Sequence, residues 1–185
     1  MNVITTPIEG LLILEPKVLK DDRGYFFESY NMRTLQQAIS GYDTAFVQDN
    51  QARSVKNVLR GLHYQNHPTP QAKLLRVLEG SIWDIAVDLR KSSKTYKQWY
   101  GLELSAENRR QFLIPHGFAH GYAVLTDTAE VFYKCDNFYD KSAEAGIYFN
   151  DPELAIDWKI NISDAIISEK DQKQPMFKDA VNLFE

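Results

Sequence analysis

Within the stretch Leu59-Arg60-Gly61-Leu62-His63-Tyr64-Gln65, running on to Lys73, three polar groups of different chemistry sit among apolar residues that read as strand. His63 can take up or release a proton near neutral pH, Lys73 can stabilise a developing oxyanion, and Arg60 carries a fixed positive charge. Tyr133 adds a weak acid elsewhere in the chain. This set suits removal of a proton next to a carbonyl, although the stretch alone favours a satisfied core histidine and a surface lysine. Other chemistries find less support. A catalytic metal usually has about three converging protein ligands, which a strand presents as His-x-His. No His-x-His occurs: His63 and His67 are divided by the Asn66-His67-Pro68 turn, and His116 and His120 straddle Gly117. No Gly-x-Ser-x-Gly elbow is present, and Cys135 lies mid-strand without an evident basic neighbour. Neither phosphate-cradling glycine pattern appears, so redox and kinase chemistry are unsupported.

The elements that must position these groups are mostly short strands. Leu11–Leu14 and Lys17–Leu19 read as a first strand pair bent at Pro16, and Asp21-Asp22-Arg23-Gly24 as a turn. Tyr25–Tyr30 reads as a strand, with Glu28 on the face of Phe26 and Tyr30. Asn31 is a natural cap for a helix over Met32–Ser40 that Gly41 ends. Phe46–Asn50 puts Gln48 and Asn50 on one face, and a turn near Lys56-Asn57 leads to Leu59–Gln65. The Pro-containing segment after His63 closes that strand, so Lys73 opens the next. Lys73–Leu78, Glu79-Gly80 and Ser81–Leu89 have the form of a hairpin. Its register puts Lys73, Leu75 and Val77 on the face of Ile82, Asp84 and Ala86, where a lysine and an aspartate require pairing or a function. Further strands are expected at Trp99–Leu104, Phe112–Ile114, Ala119–Leu125, Glu130–Asp136 and Gly146–Asn150. Short helical pieces follow Asp151-Pro152, with Ser168-Glu169-Lys170-Asp171 resembling a capping box. The whole predicts one mainly β domain over residues 1–185, a β-sandwich or jelly roll with short peripheral helices and a site at its mouth.

A chain of 185 residues suits one domain with a sizeable core. The net charge of −4, without a long basic run, argues against nucleic acid as partner. The lone Cys135 excludes an intramolecular disulfide framework, and the apolar runs are too short to cross a bilayer. A soluble cytoplasmic protein is expected.

Taken together and in order, the motifs resemble those of the dTDP-4-dehydrorhamnose 3,5-epimerases. They are Asp22–Glu28, Phe46–Asn50, Leu59–Gln65, Arg90–Ser93, Leu104–Asn108, Ile114-Pro115-x-Gly117-Phe118-Ala119-His120-Gly121, Tyr133-Lys134 and Ser168–Asp171. The resemblance implies a homodimeric jelly roll of the cupin type, without cofactor or metal, acting on dTDP-4-dehydro-6-deoxy-D-glucose. It implies that His63 is the base, that Asp171 orients it, that Lys73 steadies the enolate oxygen and that Tyr133 is the acid. Arg23, Glu28, Gln48, Asn50, Arg60, His120, Glu144 and Lys170 are implied as ligand contacts, with Arg23 and Arg60 on the pyrophosphate. Tyr139 is implied to stack on thymine. Strict alternation puts Arg60 and His63 on opposite faces, which a bulge at Gly61 would reconcile. His116 receives no role and is expected at the surface. An epimerase of only one carbon is the alternative within the class. Outside it stand a silent nucleotide-sugar-binding jelly roll and a metal-dependent cupin.

Overall fold

The computed structural model describes residues 1–182 and 184–185. In chain order its strands are β1 (Asn2–Thr5), β2 (Leu12–Glu15), β3 (Leu19–Asp21), β4 (Gly24–Phe26), β5 (Gln48–Val55), β6 (Val58–Gln65) and β7 (Lys73–Glu79). They continue as β8 (Ser81–Asp88), β9 (Trp99–Ser105), β10 (Gln111–Ile114), β11 (Phe118–Val124), β12 (Thr128–Cys135), β13 (Glu144–Gly146) and β14 (Ile166–Ile167). Helix α1 is Met32–Ala38 and α2 is Glu169–Gln172. One sheet runs β1-β2-β10-β7-β12-β5 and the other β13-β6-β11-β8-β9, with β14 parallel to β6. The two stack as an antiparallel, cupin-like jelly-roll sandwich.

Period-2 alternation divides the apolar residues into three layers. Leu75, Val77, Ile82, Ala86, Phe112, Tyr122, Val124 and Val131 fill the space between the sheets. Ile85, Val87 and Ala119 point to the far side of the second sheet, where Phe149, Trp158 and Phe177 of the C-terminal segment cover them. Leu74 and Leu113 point out of the first sheet onto Leu35 of α1. Leu35 is fully buried, which contributes about 1.5–3 kcal/mol. Asn31 caps α1 as expected, accepting from the backbone N–H groups of Arg33 and Thr34, but the helix stops at Ala38, ahead of Gly41.

Four expected elements differ. Lys73–Glu79 and Ser81–Asp88 are strands but do not pair: β7 lies between β10 and β12, whereas β8 lies between β11 and β9. Gly80, at φ +72°, carries the chain across the sandwich, and a Cβ there would run into the Thr128 carbonyl. The face assignment survives, because both strands turn Leu75, Val77, Ile82 and Ala86 inward. At the N-terminus, β2 pairs with β1; Lys17–Leu19 instead leads into a separate hairpin, β3–β4. That hairpin ends at Phe26, so Glu28 lies beyond the strand, and Leu19, Tyr25 and Phe26 are exposed. The strand expected at Gly146–Asn150 is instead β13, Glu144–Gly146, which pairs with β6 up to His63; Ile147 and Leu62 still exchange backbone hydrogen bonds just beyond it. No helix among the described residues is long and apolar enough to cross a membrane.

Candidate active site

The bulge decides what β6 can present. His63 pairs with His120 and Arg60 with Tyr122, so three steps along β6 match two along β11. The extra residue turns Arg60 and His63 to the same inward side. Gly61 allows it: its φ is +120°, and a Cβ there would lie 2.6 Å from the Gly121 Cα and 2.7 Å from the His120 carbonyl oxygen.

At this end of the sandwich the strands meet in a cavity of about 350 Å³. Directly opposed residues in a sheet share a face. The pairings Tyr133 with Asn50, and Cys135 with Gln48 and Lys73, therefore send these side chains inward from the first sheet. His63 faces them from the second, and Tyr139 and Glu144 complete the rim. A larger open hollow of about 480 Å³ follows the β3–β4 hairpin. It holds no histidine and no pair of groups suited to proton transfer, so the smaller cavity is the candidate site.

His63 Nε2 donates to Asp171 Oδ1 at 2.6 Å, and the backbone N–H of Gly61 donates to Oδ2 at 3.3 Å. Asp171 sits in the first turn of α2, whose cap is half of the expected box: the Ser168 hydroxyl accepts from the Asp171 N–H at 3.1 Å. Burial pushes the Asp171 carboxyl up, but the bonds and charge from His63, Gly61 and Ser168 outweigh it and hold it below the ordinary value. An ionised Asp171 keeps the imidazole proton on Nε2 and leaves the Nδ1 lone pair free.

Lys73 opens β7, and its ammonium has no hydrogen bond or ion pair among the described residues. Burial pulls its pKa down, opposed by the charges of Cys135, Asp84 and Glu144. Of pairing and a function, the two ways to accommodate Lys73 and Asp84, direct pairing is not formed. Asp84 is fully buried and accepts the Nε2–H of buried His120 on both oxygens, at 3.0 and 3.1 Å. His120 is thus tied to Asp84 rather than standing on the cavity wall. Burial drives the Asp84 carboxyl up, with His120 and Lys73 pulling it partly back. Tyr133 is pushed up to about 12, first by burial, then by Cys135 and Tyr122. Cys135 does have a basic neighbour, its cross-strand partner Lys73, yet burial raises the thiol and leaves it a poor nucleophile.

The raised Asp84 makes a signed prediction. An acid whose folded pKa is raised costs stability once the pH passes its unfolded value of about 3.9, and the cost grows until the folded value is passed. Thermal melts should therefore show Asp84→Asn gaining on the parent as the pH rises from about 4. A gain that shrinks over this range would mean that the carboxylate stabilises the fold.

At the rim, Glu144 receives the Tyr139 hydroxyl at 3.0 Å and is ion-paired with Lys170. Burial raises the Glu144 carboxyl, and these partners more than reverse the effect. Arg60 donates from Nε and Nη2 to the Ser54 hydroxyl at 3.2 and 3.1 Å, close enough in charge to act on Tyr133. Arg23 and Glu28 do not join the cavity of their own chain. Arg23 pairs with Asp21 in the exposed hairpin, and Glu28 accepts from Asn31 and Thr34. His116 is half-exposed and bonded to Asp136 at 2.7 Å, in keeping with its expected surface place. Gln65 and Gln71 line the cavity without having been singled out; Gln65 falls on the His63 side of β6 by alternation, the only signal available.

The family model described as dTDP-4-dehydrorhamnose 3,5-epimerase matches residues 5–179. A Shigella flexneri protein of that name is 50% identical over 180 residues, covering 97% of this chain and 98% of the relative. The crystal structure of an Elizabethkingia anophelis enzyme of that name superposes with a TM-score of 0.93 at 52% identity, covering 97% of each chain. A Legionella pneumophila dTDP-6-deoxy-D-glucose-3,5-epimerase, solved in complex with dTDP-4-keto-L-rhamnose, gives a TM-score of 0.91 at 46% identity. That match covers 96% of this chain and 93% of the other.

Proposed function

Since the chain belongs to the dTDP-4-dehydrorhamnose 3,5-epimerase family, we infer that it converts dTDP-4-dehydro-6-deoxy-D-glucose into dTDP-4-dehydro-L-rhamnose. The observation that carries this reading is one cavity holding a carboxylate-bound histidine, a tyrosine and an unpaired lysine. The hydrogens on sugar carbons 3 and 5 flank the carbon-4 ketone. His63 Nδ1 takes one of them, the C–H electron pair moves into the ring, and the carbonyl oxygen becomes an enolate oxygen. Lys73 offsets its charge, and low-dielectric surroundings strengthen the effect. Tyr133 returns a proton from the opposite face, and solvent restores both groups. No atom is gained or lost, and the configuration at that carbon is inverted. Repetition at the second carbon completes the reaction.

Following the reaction by NMR in deuterated water tests this directly. Deuterium should appear at carbons 3 and 5 with the L-rhamno configuration. Inversion at one carbon alone would identify a single-carbon epimerase instead. Turnover should also survive exhaustive EDTA treatment, because among the described residues no three His, Cys, Asp or Glu side chains converge as a metal site. A stoichiometric metal whose removal abolishes activity, and whose return restores it, would overturn that expectation.

For the ligand, Arg60 and Arg23 are read as pyrophosphate contacts, Tyr139 as the thymine platform, and Gln48, Asn50, Glu144 and Lys170 as further contacts, whereas His120, held by Asp84 behind the cavity wall, is not. Arg60 is half of this proposal that can be tested within one chain. Arg60→Lys keeps the charge but loses the planar fork, so dTDP binding by calorimetry should weaken about tenfold. Unchanged affinity would remove Arg60 from the site. Arg23 and Glu28 fit the reading only in a homodimer. The exposed Leu19, Tyr25 and Phe26 of their hairpin supply an apolar surface for a second copy, whose cavity Arg23 and Glu28 would then serve.

A further inference from the structure

We propose that Gln65 is the positioning residue for the Tyr139 platform, holding the ring in place through the backbone on either side of it. The inference rests on the reading of Tyr139 as the surface on which the nucleotide base stacks. Tyr139 lies in the irregular segment between β12 and β13, and neither neighbouring peptide belongs to a sheet ladder. An aromatic ring on a free loop gains little from stacking, because ordering the loop on binding costs roughly 1–2 kcal/mol per residue. This loop is already ordered, and by side chains. Gln65 Oε1 accepts the Asp140 N–H at 2.8 Å, and Gln65 Nε2 donates to the Phe138 carbonyl at 3.3 Å. The same Nε2 donates to the Thr69 carbonyl at 2.6 Å, which ties in the segment linking β6 to β7. Between the two Gln65 contacts, the Tyr139 N–H itself donates to Gln48 Oε1 at 3.0 Å.

The Gln65 amide is therefore committed to backbone, with both hydrogens and its oxygen engaged. The side chain is 4% exposed, whereas the Tyr139 ring it supports is 54% exposed. That contrast separates their roles: the buried amide sets the position, and the open ring meets the ligand. The site is also cross-braced, because Gln65 reaches the loop from the second sheet and Gln48 from the first. A carboxylate in place of the amide would lose both donor bonds, and a shorter amide would not span from β6 to Asp140.

The test is a double-mutant cycle on dTDP affinity, measured by calorimetry, using Gln65→Met in the parent and in Tyr139→Ala. Met keeps the length and neutrality of the side chain and removes its hydrogen bonds. Gln65→Asn serves as the second variant, retaining the amide but withdrawing it, should Met impair folding. In the parent background either change should weaken dTDP about tenfold, and in turnover the loss should fall on KM more than on kcat. With Tyr139 already replaced by Ala, the same change should cost no more than about twofold. Equal losses in both backgrounds, or no loss in the parent, would overturn the role of Gln65 while leaving Tyr139 in the site. If Tyr139→Ala alone left dTDP affinity intact, the stacking reading itself would fail, and the inference with it.

Discussion

Replacement of His63 by Asn should stop deuterium from entering the substrate at either carbon and lower turnover by roughly a thousandfold. The size follows from what the residue does in the proposed reaction. An amide cannot accept a proton at neutral pH, and each inversion begins with proton removal. The shorter Asn amide overlays the Nδ1 edge of the ring and stops short of Asp171, so this 3% exposed carboxylate loses its main partner and the fold loses some stability with it. Loss of activity can be separated from loss of fold by comparing melting temperatures. The two carbons should fail together, because the cavity contains one histidine with a carboxylate behind it. If His63→Asn still exchanged deuterium at the parent rate, another group would have to be the base, and the dyad would be structural.

Tyr133→Phe should fail in a different way. The phenol is pushed up to about 12 by burial and by its neighbours Cys135 and Tyr122, so it remains protonated through the neutral range. It is therefore placed to donate rather than to abstract. Removing the hydroxyl leaves the His63–Asp171 dyad intact, on the opposite sheet. Proton removal should continue, and His63 can return a solvent-derived proton to the face from which it came. Exchange should persist while inversion falls by about a hundredfold, most of all at carbon 5. Mass spectrometry reads the first and NMR the second. Parallel loss of exchange and inversion would mean that Tyr133 acts in the abstraction step or in binding, not as the opposite-face acid.

The two residues also show how the chain divides between what is local and what is not. Side-chain alternation has a period of two residues whatever the strand pairs with, so the sequence alone puts Gln48 with Asn50, Val131 with Tyr133 and Cys135, and Lys73 with Leu75 and Val77. The Asn31 and Ser168 caps and the Asp21–Gly24 turn are equally local, each closing over a few residues. The motifs that carry the family resemblance are likewise a property of the sequence, and Asp171 enters as the partner of His63 only through them. Nothing in either segment tells that residues 108 apart will meet at 2.6 Å.

What the tertiary structure decided is which faces look at which. Glu79-Gly80 reads as a hairpin turn, yet the strands on either side enter opposite sheets. Both outcomes bury the same apolar faces and satisfy the same backbone groups, so only the competing partners β10, β12, β9 and β11 break the tie. That choice separates Lys73 from Asp84, giving Asp84 to His120 and leaving the lysine unpaired beside the cavity. The bulge that turns Arg60 and His63 to one side is foreshadowed by Gly61, but its need becomes visible only when Gly121 of β11 lies against it. The exposed β3–β4 hairpin, with Arg23 outside its own cavity, is the clearest case. Local sequence determines that it turns, whereas its place relative to the site depends on long-range packing, for which short-range periodicity carries no signal.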